Sequence, residues 1–116
     1  MHVTLTFRHI DASDAVKAHA TERLEKIQKY FPDPIGGHIL FSVSKSHQSE
    51  VEVHLTLHDG TLLKSVEHAE NMYAAIGLAM ANIESQARKH KEKTRSHRRV
   101  DHETRNAELG NTPNES

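Results

Sequence analysis

The stretch RKHKEKTRSHRR, residues 88–99, gathers Arg88, Lys89, Lys91, Lys93, Arg95, Arg98 and Arg99 against a single acid, Glu92. Nearly half of the chain's 15 Lys and Arg residues stand in these consecutive positions. Cations this close repel one another unless an anion neutralises them. A helix C-terminus accommodates two or three through its dipole, not seven. The chemistry such a run offers is binding to a polyanion. The remainder of the chain is acidic. Residues 1–87 carry a net −4, residues 88–99 a net +6 and residues 100–116 a net −3, so the formal net charge of −1 conceals a segregated field.

Other chemistry is poorly represented. The 11 histidines invite a metal, but no His pair falls at i, i+4 on an expected helix and HExxH is absent. His54 and His58 share one face of an expected strand, where four residues span about 13 Å, too far to chelate one ion. His19 and His90 are single helix positions, and His68 reads as a polar residue at a strand end. There is no Gly-rich phosphate loop, no GxSxG and no nucleophile–base pattern. Glu50 and Glu52 fall on an exposed strand face, where they favour solubility and turn nucleic acid away from that side. The sequence therefore predicts a binding protein rather than an enzyme, with no cofactor and no metal.

These residues need a scaffold, and 116 residues suffice for one domain. No apolar run approaches the roughly 18 residues that span a bilayer, and the alternating N-terminus does not read as a signal peptide. The chain has no cysteine, which fits a reducing compartment; the expected location is cytoplasmic.

HVTLTFR at 2–8 alternates as a half-buried strand, with Val3, Leu5 and Phe7 on one face. Asp11 or Ser13 offers an N-cap for a helix over 14–31, whose stripe is Val16, Ala20, Leu24, Ile27 and Phe31. Pro32 and Pro34 end it, and Gly36-Gly37 reads as a turn. A strand over 38–44 points Ile39, Phe41 and Val43 inward. A strand over 50–58 follows, with Val51, Val53, Leu55 and Leu57 inward and Glu50, Glu52, His54, Thr56 and His58 outward. Asp59-Gly60 predicts a type I′ hairpin. On the return strand, 61–67, Leu62 and Val66 share a face with Lys64 between them, the mark of an edge strand.

A long helix starts near Glu70 or Asn71, with Met72, Ile76, Ala79, Met80, Ile83 and Ala87 as its stripe, and continues to about Lys93. The organisation read from the pattern is a β-α-β-β-β-α domain over 1–95. The tail at 96–116, first basic and then acidic, is too polar to bury a core and is expected to be disordered. The fold class is α/β (α+β): a two-layer sandwich, its four-stranded sheet wet on one face and covered by both helices on the other.

A step of about 100° per residue places His19, Arg23, Lys26 and Tyr30 on one flank of the first helix, with Lys29 a little further out and Glu22 interrupting the row. Asn82, Gln86, Lys89 and Lys93 lie along one flank of the second, while Arg88, Lys91 and Arg95 take other bearings. Two helices side by side make a single outer surface, expected to carry Arg23, Lys26, Lys29, Lys89 and Lys93, with Asn82 and Gln86 as donors to phosphate or sugar oxygens. Aromatic residues make up 4% of the chain. That argues against base stacking on the sheet and favours recognition of shape and phosphate by helices.

The sequence resembles the bacterial ribosome hibernation-promoting factors, also called ribosome-associated inhibitor A proteins, from about Val3 to Lys93. The pieces that carry the likeness are ERLEKIQKYF (22–31), DGTLLKSVEHAENMYAAI (59–76) and RKHKEK (88–93). NMYAAI at 71–76 is similar to the family's Asp-Met-Tyr-x-Ala-Ile opening of the last helix. The resemblance implies a fold similar to double-stranded RNA-binding domains. It implies binding to the decoding region of the small ribosomal subunit, chiefly through rRNA, and to the assembled ribosome. There a member occupies mRNA and tRNA space, inhibits translation and preserves idle ribosomes in starvation and stationary phase. Carried over by position, the RNA contacts are Arg23, Lys26 and Lys29, then Arg88, Lys89, Lys91 and Lys93.

The sequence also departs from the family. Asn82 and Ser85 stand where many relatives carry Lys or Arg, which implies phosphate contacts there that are either weaker or moved to Arg95, Arg98 and Arg99. Asn71 replaces an Asp and can still cap a helix. The residues beyond 100 do not resemble the C-terminal domain of the family's long members. A short member, monomeric when free, is expected. The competing expectation is a protein-binding modulator of a sigma factor.

Overall fold

The computed structural model describes the backbone of residues 1–102 and the side chains of residues 1–93. The elements run β1 (His2–Phe7), α1 (Asp14–Tyr30), β2 (Pro34–Val43), β3 (Ser49–Leu57), β4 (Leu62–Ala69) and α2 (Met72–His102). The sheet order is β1-β2-β3-β4, with β1 parallel to β2 and the other pairs antiparallel. One apolar cluster joins the inward faces of the strands to both helices, which cover the same side. The β-α-β-β-β-α sandwich is as the pattern implies.

Each helix starts on a side-chain cap. Ser13 Oγ accepts the Val16 N–H at 3.2 Å, and Asn71 Oδ1 accepts the Ala74 N–H at 2.9 Å, each satisfying one orphan donor of a first turn. Beneath them Ile39, Phe41, Val51, Val53 and Leu55 are fully buried against Ala20, Ile76, Ala79, Met80 and Ile83. Phe7 stacks on Phe41 with ring centroids 4.7 Å apart. Val43, expected inward, is exposed at the end of β2.

Four local expectations are corrected. Gly36 and Gly37 do not turn; they lie within β2, where Gly37 pairs with Val3 on one side and Leu55 on the other. A Cβ on Gly37 would stand 2.6 Å from Leu55 Cδ2 and 2.9 Å from the His54 carbonyl oxygen, so this glycine marks a close approach rather than a bend. At the β3-β4 hairpin only Gly60 takes positive φ, at 90°. With Gly60 N–H bonded to Leu57 O, this is a longer loop with one left-handed glycine, not a type I′ turn.

On β4, Leu62, Lys64 and Val66 do share a face, but it is the outer one; the core side holds Leu63 and Ser65. Finally, α2 runs on to His102. Its apolar stripe ends at Ala87, yet Lys and Arg are good helix formers and carry the helix onward. The expected tail at 96–116 thus begins as helix backbone, and residues 103–116 lie outside the described residues.

Candidate nucleic-acid interface

Three contacts fix how the helices face each other. His19 meets Tyr73 edge to face, centroids 5.2 Å apart. Arg23 Nη1 lies 3.4 Å from where a Cβ on Gly77 would stand. Lys91 Nζ is 5.7 Å from the centroid of the Phe31 ring. Both residue series ascend, so α1 and α2 run in the same direction, with His19, Arg23 and Phe31 along one wall of the seam and Tyr73, Gly77 and Lys91 along the other.

The remaining cations follow from helical geometry. From the buried stripe of α2, a step of about 100° per residue puts Arg88 and Lys89 on either side of the outward crest. Lys91 falls toward α1, and Lys93 falls to the opposite flank. On α1, Lys29 lies at the crest, Lys26 between crest and seam, and Arg23 in the seam itself. Lys26, Lys29, Arg88, Lys89, Lys91 and Lys93 are exposed, and Arg23 is half-buried. Arg88 is also within 3.8 Å of Glu84 one turn back, an exposed pair of small energetic weight. Arg95 belongs to α2, with its side chain outside the described residues; Arg98 and Arg99 are placed likewise.

This arrangement corrects the expected surface. The flank of Asn82, Gln86 and Lys93 does not adjoin α1; it faces the β4 edge, with Lys89 between that flank and the outward crest. Gln86 Nε2 donates to the Lys64 carbonyl at 2.7 Å, and Gln86 Oε1 accepts the Lys64 N–H at 3.3 Å. Gln86 Nε2 also donates to Asn82 Oδ1 at 2.9 Å, and Asn82 Nδ2 donates to Glu67 Oε2 at 3.3 Å. Both amides thus bond within the fold on the β4 side of α2. The plane common to the two helices carries Lys26, Lys29, Arg88 and Lys89, with Arg23 and Lys91 in the seam.

The end of the basic helix is tied to the hairpin. His90 Nε2 and Asp59 Oδ2 are 3.0 Å apart. Asp59 also accepts the Thr61 N–H at 2.9 Å. The hydrogen bonds from Thr61, backbone first and side chain second, hold the Asp59 carboxyl below its ordinary value; loss of solvent opposes them, and His90 adds in their direction.

The opposite face of the sheet has a different character. Glu52 pairs with His54 at 2.6 Å and approaches Lys64 at 3.9 Å, and Glu50 pairs with His68 at 3.2 Å. Among the described residues, no group of three or more His, Cys, Asp or Glu is placed to hold a metal ion. Reading the sequence alone missed the seam contacts of Tyr73, Gly77 and Phe31. Gly77, a glycine inside a helix, was the one available signal.

Fold and surface together define a small α+β domain with a cationic helical face and a carboxylate-bearing sheet face. The chain belongs to the family described as Sigma 54 modulation protein / S30EA ribosomal protein, whose model matches residues 3–95. It is 29% identical over 96 residues to a ribosome hibernation promoting factor of Pseudomonas putida, covering 83% of this chain and 92% of that one. Against the ribosome hibernation promotion factor of Bacillus subtilis it is 32% identical over 95 residues, 80% of this chain but 50% of that longer one. A ribosomal subunit interface protein from Coxiella burnetii has a solved structure that superposes with TM-score 0.73 at 26% identity, covering 79% of this chain and 99% of that one. The N-terminal domain of Thermus thermophilus Protein Y shares the fold, with TM-score 0.67 at 23% identity over 75% of this chain and 96% of that one.

Proposed function

We propose that this chain is a ribosome-associated hibernation factor that seats the plane of α1 and α2 on small-subunit rRNA in the decoding region. There it excludes mRNA and tRNA by occupying their space and keeps idle ribosomes inactive. The reading needs no chemistry: phosphate contacts position the domain, and the folded shape of the RNA supplies specificity. The observation that carries it is the charge division across the sandwich. Lys26, Lys29, Arg88 and Lys89 stand exposed on the helical side, while Glu50 and Glu52 lie on the sheet side. On the helical side the cations outnumber Glu22, Glu25, Glu84 and Glu92, so a polyanion is drawn chiefly to that face. A ribosome-bound factor of this kind works in the cytoplasm, as a monomer when free.

Sedimentation with purified small subunits tests the reading. The wild-type chain is expected in the subunit fraction, with affinity falling roughly 10²–10⁴-fold between 50 and 200 mM salt if five to seven cations each displace a counterion. A variant with Lys26, Lys29, Arg88 and Lys89 all changed to Glu is expected to stay at the top of the gradient with unchanged circular dichroism. Co-sedimentation of that variant would remove the helical plane from the interface. The family description also carries a sigma-54 name, but the Pseudomonas, Bacillus and Coxiella relatives compared above bear ribosome names. A sigma-factor partner would bind in nuclease-treated extract with little salt dependence.

A further inference from the structure

The chain's only tyrosines, Tyr30 and Tyr73, belong to the two helices that form the seam. They are placed differently. Tyr73 is held edge-on by His19. Tyr30, at the last position of α1, is 67% exposed, and its ring enters no ring pair among the described residues. Its surroundings are cationic. Lys26 precedes it by one turn and Arg23 by two, on the same side of α1, and Lys29 is its neighbour in sequence. Across the seam, Lys91 reaches the ring of Phe31, the next residue, which brings the Arg88–Lys91 turn of α2 beside this end of α1.

A phenol ring left in water contributes little to the core. Set among cations, it matches a ligand with a flat π-face and a negative backbone, and a nucleotide has both. We propose that Tyr30 is a stacking platform for an unpaired nucleobase, with Lys26, Lys29 and Arg88 holding the flanking phosphates. The inference rests on the RNA reading above and sharpens it. A duplex keeps its base faces stacked on one another, so the site selects RNA with a splayed-out base rather than RNA of any shape.

The chain has no tryptophan, so in a full-length Tyr73→Phe protein the tyrosine emission belongs to Tyr30 alone. The probes are a single-stranded RNA oligonucleotide and a blunt RNA duplex of equal phosphate number. The single strand is expected to quench the emission and the duplex to leave it. Tyr30→Ala is expected to weaken single-strand binding by roughly 5- to 150-fold, the usual worth of one base–aromatic stack, while Tyr30→Phe restores it. The dependence on salt should be the same in all three proteins, since no charge changes. Equal binding by Tyr30→Ala and wild type, or equal quenching by strand and duplex, overturns the platform while salt-dependent binding stands. Absence of salt-dependent binding to either RNA and to small subunits overturns the RNA reading itself.

Discussion

Gln86 closes the sheet at Lys64. Its carboxamide accepts the Lys64 N–H and donates to the Lys64 carbonyl, as a peptide of a fifth strand would. Edge strands expose such groups to pairing with other chains, and proteins cover them by several means. Here an α2 side chain does so, with exposed Leu62 and Val66 on either side of Lys64. Gln86→Ala removes both hydrogen bonds and the one to Asn82. The expected cost is about 1–2 kcal/mol, read as a lower urea midpoint, together with concentration-dependent self-association in analytical ultracentrifugation. Unchanged stability and a monomer at all concentrations would show that the carboxamide guards nothing.

Ser65 presents the opposite case. It is buried on the core side of β4, and its Oγ has no hydrogen-bond partner. A buried hydroxyl without a partner costs free energy that an alanine does not. Ser65→Ala is expected to leave stability unchanged or raise it by up to about 1 kcal/mol. A loss of more than that in chemical denaturation would reveal a partner for the hydroxyl.

Gly37 packs where a side chain has no room. A Cβ there meets Leu55 Cδ2 at 2.6 Å, which can swing aside, and the His54 carbonyl at 2.9 Å, which cannot without moving β3. Gly37→Ala is expected to destabilise by about 1–3 kcal/mol, measured by thermal or urea unfolding. A neutral result would mean that β2 and β3 separate freely at this point.

Much of this architecture was legible in the sequence. Val51, Val53, Leu55 and Leu57 alternate without interruption, so β3 could be oriented from pattern alone. β4 could not, because Leu62 and Leu63 are adjacent and either could face inward; pairing of Leu63 with Leu55 decides it. Gly36-Gly37 misled because glycine marks both turns and close approaches, and only the neighbouring strand distinguishes them. The candidate site divided in the same way. A helical step grouped Asn82 and Gln86 on one flank, and their bonds to each other and to β4 agree with it. It could not say that this flank meets β4 while Arg88 and Lys91 turn toward α1, since that depends on how the helix rolls on the sheet.

Gly77 separates stability from binding. An interior helical glycine costs about 1 kcal/mol relative to alanine. The new Cβ would stand 3.4 Å from Arg23 Nη1, the far end of a flexible side chain, so the fold can accept it. Gly77→Ala is expected to raise stability by up to about 1 kcal/mol, while pushing the Arg23 guanidinium out of its notch and weakening association with small subunits. A variant that is stabilised and binds as the wild type does would show that the resting place of Arg23 is irrelevant to the interface.

Asp59 links the hairpin to the basic helix and sets a pH window. Its carboxyl lies below the ordinary value of 3.8, chiefly through the Thr61 N–H. Because the folded value is depressed, the carboxylate stabilises the fold above the unfolded value, and that contribution fades as pH falls through the folded one. Asp59→Asn also weakens the contact to His90, which steadies α2 beside Lys89 and Lys91. The variant is expected to be less stable than the wild type at neutral pH. The gap should narrow below the ordinary carboxylate value and close once the wild-type carboxyl is protonated. Paired urea titrations at neutral and strongly acidic pH measure it; a gap that persists undiminished in acid would assign the loss to the amide's geometry rather than to the charge.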